Sequence, residues 1–168
     1  LWRVVYENSF DGSSTKKLIV DPNDNIYVLG LGTGPSGMVT KVKKFDSSGV
    51  PVWSYFDTVG IGAPVNIKFT PDNNMLIVHR TLSGNFNGFS KIDLTGNLLW
   101  SIAGINSNTV GDAAGDSQGN TYLVNGEYVI SNSGSVLQKI SPNGSQIWAD
   151  TNSITAYRVE VGNDDNPV

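Results

Sequence analysis

The 168-residue chain contains no cysteine, so no disulfide and no thiolate-bound metal can hold it together. That absence fits a reducing cytosol and a bacterial exported protein equally well. Glutamate occurs only at positions 7, 127 and 160, while glycine occurs 19 times. Helix-forming segments are therefore scarce and turns plentiful, which points to an all-β chain. A single histidine, His79, cannot build a multi-histidine metal site, and no residue pattern calls for a cofactor. No apolar run approaches the roughly 20 residues that cross a bilayer as a helix, so membrane insertion is not expected. Basic residues are few and dispersed: 11 Lys and Arg against 15 Asp and Glu give a formal charge of −4. This lacks the basic footprint of a nucleic-acid binder.

What the sequence does contain is repetition. Lys91 to Trp100 reads KIDLTGNLLW, and Lys44 to Trp53 (KFDSSGVPVW) and Lys139 to Trp148 (KISPNGSQIW) repeat its plan. Each copy has Lys first, Gly sixth and Trp tenth, and the tryptophans stand 47 and 48 residues apart. A period of this size marks a repeat architecture. A second motif recurs with it, in KLIVDPNDNIYV (17–28), IKFTPDNNMLI (67–77), AGDSQGNTYLV (114–124) and RVEVGNDDNPV (158–168). Its apolar strand, polar turn and second β-rich strand read as a hairpin.

Together the two motifs predict four short strands per unit, A (about 16–21), B (25–30), C (38–46) and D (50–56) in the first. Four antiparallel strands per repeat make a β-propeller blade. The expected blades are 16–56, 64–103 and 110–150, preceded by a last strand at 1–6 and followed by the start of another unit at 155–168. Trp53, Trp100 and Trp148 hold one fixed place on strand D, where a large ring can wedge between blades, and are expected in the core.

These motifs resemble the bacterial secreted β-propeller repeat family, whose pattern runs Asp-x-x-Gly-Asn-x-Tyr-Val and then Lys-x-Asp-x-x-Gly-x-x-x-Trp. Asp21, Asn25, Tyr27 and Val28 match it, as do Asp116, Gly119, Asn120 and Tyr122, and Lys91, Asp93, Gly96 and Trp100. The strand-D half is more weakly similar to the repeats of pyrroloquinoline-quinone enzymes and of the outer-membrane assembly lipoprotein propeller. Thr70 stands where the first Asp is expected, and Ser141 replaces the strand-C Asp. The resemblance implies an extracellular, cell-surface or periplasmic location.

In an up-and-down meander the A–B and C–D turns emerge on one side, and the B–C and D–A connections on the other. The first set is tight and uniform, built on Asp, Asn, Pro and Gly. The second is longer and differs between units: 29–37, 80–88 and 126–134 for B–C, and 57–63, 104–109 and 151–154 for D–A. Binding residues on repeat scaffolds concentrate in such loops. The interaction-capable side chains expected there are His79, Arg80, Asn85, Phe86, Asn87, Glu127 and Tyr128.

Other apparent motifs fail on context. Gly32 to Gly37 satisfies G-x-G-x-x-G, but strand-like residues follow it and Pro35 interrupts it, so no helix N-terminus awaits a pyrophosphate. The oxygen-rich runs 21–25 and 163–166 lack the Gly and Glu of a calcium loop. Asn143-Gly-Ser145 has the form of a glycosylation acceptor but sits in a turn. With no nucleophile and base paired by spacing, the leading expectation is a non-enzymatic recognition or display module for a protein or glycan ligand. The alternatives are part of a quinoprotein-like or hydrolytic propeller enzyme, or an envelope assembly scaffold. Both ends fall inside repeats, so the expectation is a fragment that needs the remainder of the propeller, or a second copy, to close the ring.

Overall fold

The computed structural model describes residues 14–34, 37–58, 62–81, 86–106, 111–125, 137–150 and 156–168. The strand expected at 1–6, and Asn85, Glu127 and Tyr128, lie outside them. Three antiparallel sheets follow one another. The first is β1 (Thr15–Val20), β2 (Ile26–Gly34), β3 (Gly37–Phe45) and β4 (Pro51–Phe56). The second is β5 (Gly62–Phe69), β6 (Asn74–Thr81), β7 (Phe86–Asp93) and β8 (Leu98–Asn106). The third is β9 (Asp112–Gly115), β10 (Thr121–Val124), β11 (Leu137–Ile140) and β12 (Gln146–Asp150). In each sheet the strands pair in sequence order, which is the meander of a propeller blade. The described residues contain no helix.

The strands run further toward the B–C side than the sequence suggested. Pairing between β2 and β3 continues to Gly34 opposite Gly37, and β6 and β7 pair as far as Arg80 opposite Asn87. Stretches of Gly, Thr and Asn look like loop in isolation, but ladder pairing on a packed sheet overrides such weak preferences. The G-x-G-x-x-G run accordingly lies in a hairpin, not ahead of a helix.

A–B and C–D turns share one geometry. The first of five residues donates its N–H to the carbonyl of the fifth, and the fourth donates to the carbonyl of the first, as in Asp21 with Asn25 and Asp93 with Asn97. The fourth residue is left-handed throughout. Gly49, Gly96, Gly119 and Gly144 have φ of 87, 91, 85 and 86°, and Asp24, Asn73 and Asp165 have 60, 58 and 61°. Those are the residue types that tolerate this region.

Each A–B turn also contains a carboxylate that takes the side-chain amide of its closing Asn. Asp21 and Asp116, first in their turns, accept from Asn25 and Asn120 at 2.8 Å each. Where Thr70 and Gly162 stand first, the third residue serves, Asp72 accepting from Asn74 at 2.8 Å and Asp164 from Asn166 at 3.0 Å. Turn chemistry thus engages Asp21 and Asp164 in the two runs that resembled calcium loops.

Strand D carries a bulge just before each tryptophan. Lys44 pairs with Trp53 and Phe45 with Pro51, so Val52 is the extra residue. Leu99 and Ile147 are the equivalents. The bulge turns Val52, Leu99 and Ile147 outward, all three exposed, and aims the ring at the next blade. Trp53 lies under Gly96 of the second sheet, where an added Cβ would come within 3.0 Å of the ring, and its Nε1 donates to the Leu94 carbonyl at 3.2 Å. Trp100 lies under Gly144, where a Cβ would meet its own Cβ at 2.6 Å, and is 6% exposed. Trp148 departs from the expected core position: it is 38% exposed and tilts against Tyr122 of its own sheet, centroids 6.1 Å apart. The described residues place no following C–D turn over it, and that turn is what covers the other two rings.

Between the first two sheets, Tyr27, Leu29, Val42 and Tyr55 pack on Ile67, Met75, Ile77 and Ile92. Leu76, Val78, Phe89 and Trp100 then meet Ala113, Leu123 and Ile140. Strand β6 is apolar on both faces because it is sandwiched: Met75 and Ile77 serve one joint, Leu76 and Val78 the other. Val159 continues the pattern against Tyr122 and Val124.

Candidate functional site

Of the side chains expected on the variable face, those of His79, Arg80 and Asn87 are described, and none of the three stands in a free loop. His79 is on β6, opposite Gly88 of β7, and is 1% exposed. A Cβ at position 88 would lie 1.9 Å from His79 Nε2, so glycine there leaves the space the imidazole fills. Asn87 is buried on β7 and donates to the Asn125 carbonyl across the second joint at 3.1 Å. Arg80 is half-buried near the end of β6. Phe86 opens β7. The sequence assigned these residues to a loop because it did not show how far β6 and β7 extend.

His79 belongs to a closed polar cluster between the first two sheets. Its Nδ1 lies 3.2 Å from Asp57 Oδ2, in ion-pair range but off a hydrogen-bond line. Ser90 Oγ donates to the same Asp57 oxygen at 2.7 Å. Burial lowers the imidazole pKa more than Asp57 raises it, so His79 is neutral at pH 7. Burial, then the Asp57 charge, push the Tyr55 hydroxyl up. The carboxylate stands between serine and histidine, so the imidazole does not receive the Ser90 proton, and the wiring differs from that of a nucleophilic triad. Asp57 is held by the Ser90 hydroxyl, with the neutral imidazole packed beside it at the joint of two blades.

The open site is elsewhere. A cleft of about 580 Å³ is lined by Lys17, Asn66, Lys68, Asp112, Tyr157 and Arg158, with Val65 and Gly111. These residues come from β1, β5 and the start of β9, and from the segment after residue 155, so the first strand of every unit faces one space. Lys17, Asn66, Asp112 and Arg158 each stand four residues before the first residue of their A–B turn. They are one repeat position, polar in all four units and different in each.

Hydrogen bonds join this ring across the blades. Lys17 Nζ donates to Asn66 Oδ1 at 2.6 Å, and Asn66 Nδ2 to Asp112 Oδ1 at 3.5 Å. Asp112 Oδ2 pairs with Lys68 at 2.7 Å and accepts the Val159 N–H at 3.3 Å. Arg158 pairs with Glu160 on the exposed rim. Sequence reasoning looked for a site in the loops and passed over this column. The signal was there, a strand-A position that is polar in every unit beside one that is apolar in every unit, Leu18, Ile67, Ala113 and Val159.

No protein family and no curated protein matches the sequence. Solved structures do match. A eukaryotic initiation factor superposes with a TM-score of 0.61 at 12% identity, over 89% of this chain and 34% of that one. Prolyl oligopeptidase B from Galerina marginata, bound to a macrocyclization substrate, gives 0.51 at 11% identity over 93% and 22%. A luciferin-regenerating enzyme gives 0.50 at 12% identity over 94% and 52%. These are propeller-like folds, and at such identities they are evidence of fold alone. The chain spans about a third, a fifth and a half of the lengths of these three.

Proposed function

We propose that this chain is a non-enzymatic recognition module of a bacterial secreted or cell-surface propeller, with its ligand seated in the cleft between the first strands. The observation that carries the reading is the polar ring Lys17, Asn66, Asp112 and Arg158, one repeat position that gathers four different side chains in an open cleft. A column kept for packing alone would be filled with apolar residues, as the neighbouring Ile67, Ala113 and Val159 are. Resemblance to the secreted propeller repeat supports the location. A screen of glycans, peptides and small metabolites tests the function, read by shifts of the Tyr157 ring resonances. Ligands that perturb Tyr157 support it, and a screen in which every hit leaves Tyr157 untouched overturns it.

The exposed Trp148 and Ile147 support a second element of the reading, that further blades or a second copy cover the third sheet. Light scattering checks this: a discrete dimer, or a longer polypeptide in which Trp148 fluorescence is blue-shifted, is expected, and a monodisperse 18.0 kDa monomer with Trp148 exposed would contradict it.

A further inference from the structure

The cleft differs in charge from the molecule that contains it. The chain carries a formal charge of −4, yet among the described residues three cations, Lys17, Lys68 and Arg158, line this space against one carboxylate, Asp112. The pairing is unequal. Lys68 is matched by Asp112 at 2.7 Å, and Arg158 by Glu160 on the exposed rim, where an ion pair is weak and readily exchanged. Lys17 is different: its hydrogen-bond partner is the neutral Asn66 carbonyl oxygen at 2.6 Å, and no carboxylate among the described residues pairs with it. Among the described residues one cation inside the cleft is therefore uncompensated, with a second held loosely at its mouth.

Around those charges stand groups suited to a polyhydroxylated ligand. The Asn66 carbonyl oxygen is held by Lys17 at 2.6 Å and by the Ile67 N–H at 3.0 Å, but its Nδ2 reaches Asp112 only at 3.5 Å, the long limit of a hydrogen bond, so that donor can serve a ligand hydroxyl with the side chain in place. Tyr157, beside Arg158 on the rim, exposes 55% of its surface and offers a ring face with a polar tip. The volume of about 580 Å³ falls within the roughly 300–1,000 Å³ of small-molecule sites.

We propose that this cleft binds an acidic saccharide, a sugar carboxylate of the uronate type. Lys17 and Arg158 meet the carboxylate, Asn66 and Asp112 address the hydroxyls, and Tyr157 packs on the C–H face of the ring. The proposal rests on the cleft being the binding site and adds the ligand class.

Titration of the 168-residue chain with glucuronate, and separately with glucose, followed by calorimetry and by the Tyr157 ring resonances, tests it. Glucuronate is expected to bind saturably and more tightly than glucose, with affinity falling as salt rises from about 20 to about 200 mM, since exposed charges are screened over that range. Lys17→Met should weaken binding by about tenfold or more, the loss of one charge-assisted contact, and Tyr157→Ala by less, both with unchanged melting temperatures. Arg158→Gln, on the exposed rim, gives a second charge variant should Lys17→Met fold poorly. Glucose binding as tightly as glucuronate, no saturable glucuronate binding at millimolar concentration, or charge variants that bind normally would each overturn the proposal. A neutral ligand that shifts Tyr157 and binds at least as tightly as glucuronate would overturn the acidic class while leaving the cleft as the recognition site.

Discussion

The segments Lys91–Trp100 and Lys139–Trp148 follow one sequence plan and meet two environments. In the second sheet Lys91 is 1% exposed and bridges a joint, its Nζ 2.8 Å from Asp72 and 2.7 Å from the Gly119 carbonyl in the next sheet's A–B turn. Lys139, its counterpart, is 3.6 Å from Asp116 and lies over the Tyr122 ring of its own sheet at 5.0 Å. Trp100 is covered by Gly144, whereas Trp148 is open. Lys44 and Trp53 resemble the second sheet: both donate to the Leu94 carbonyl of the following blade, at 3.4 and 3.2 Å. The repeated Lys and Trp are therefore joint-formers, and their energetic weight depends on the unit that follows. A motif legible three times over need not contribute equally three times.

The sharpest way to break this comparison is at the tryptophans. Trp100→Ala should cost about 3–5 kcal/mol, as for a buried large aromatic. Trp148→Ala should cost less than about 1 kcal/mol, as for positions outside the core. Urea unfolding of both variants decides, and equal costs would mean that the following turn does not govern burial.

The lysines come next. Lys91→Met removes two charge-assisted bonds and should cost about 1.5–3 kcal/mol, while Lys139→Met should stay within about 1 kcal/mol. A double-mutant cycle of Lys91 with Asp72 should show coupling, and one of Lys139 with Asp116 almost none.

Gly144 sharpens the same contrast from the other side of the joint. Alanine there would be strained at φ 86° and would press on Trp100, so about 1–2 kcal/mol is expected from the backbone alone. Gly37 has φ 109° but open space around a Cβ, so Gly37→Ala should lack the packing part. Thermal melts of the two variants separate strain from contact.

The smallest effect expected is one of pH. Burial would raise the Asp93 carboxyl, but hydrogen bonds from the Asn97 N–H, the Thr95 hydroxyl, the Asn97 amide and the Thr95 N–H together outweigh it and hold the pKa down to about 2. A depressed folded-state pKa stabilises above the unfolded value of 3.8, and the contribution is lost as pH falls toward 2. Asp93→Ser, which copies Ser141, should thus melt below the parent at neutral pH, with the gap closing through that window. A gap that stays constant on acidification would exclude ionised Asp93 as its source.

Most of the fold was legible because turn geometry and period are local properties. Asn25, Asn74, Asn120 and Asn166 mark hairpins whose fourth residue must be left-handed, and Gly or Asx supplies it at every one. Thr70 departs from the pattern at the first turn position, and Asp72 supplies the carboxylate from two residues away. The candidate site was less legible. His79 and Asn87 looked available because the strand ends around them are set by pairing, not by composition, and the ring of Lys17, Asn66, Asp112 and Arg158 looked like scattered polar residues.

The sequence by itself determined the repeat, the four-strand unit, the turn conformations and the place of each Lys and Trp on its strand, since all of these depend on residues near one another in the chain. Only the tertiary structure decided which tryptophan is buried, that His79 faces Asp57, and that four first strands share one cleft. Those outcomes depend on contacts between residues of different units, 22 residues apart for His79 with Asp57 and more than 40 for Ser117 with Asp165 or Lys17 with Asn66. A period fixes where a side chain recurs along the chain, and packing of one blade on the next fixes what it meets.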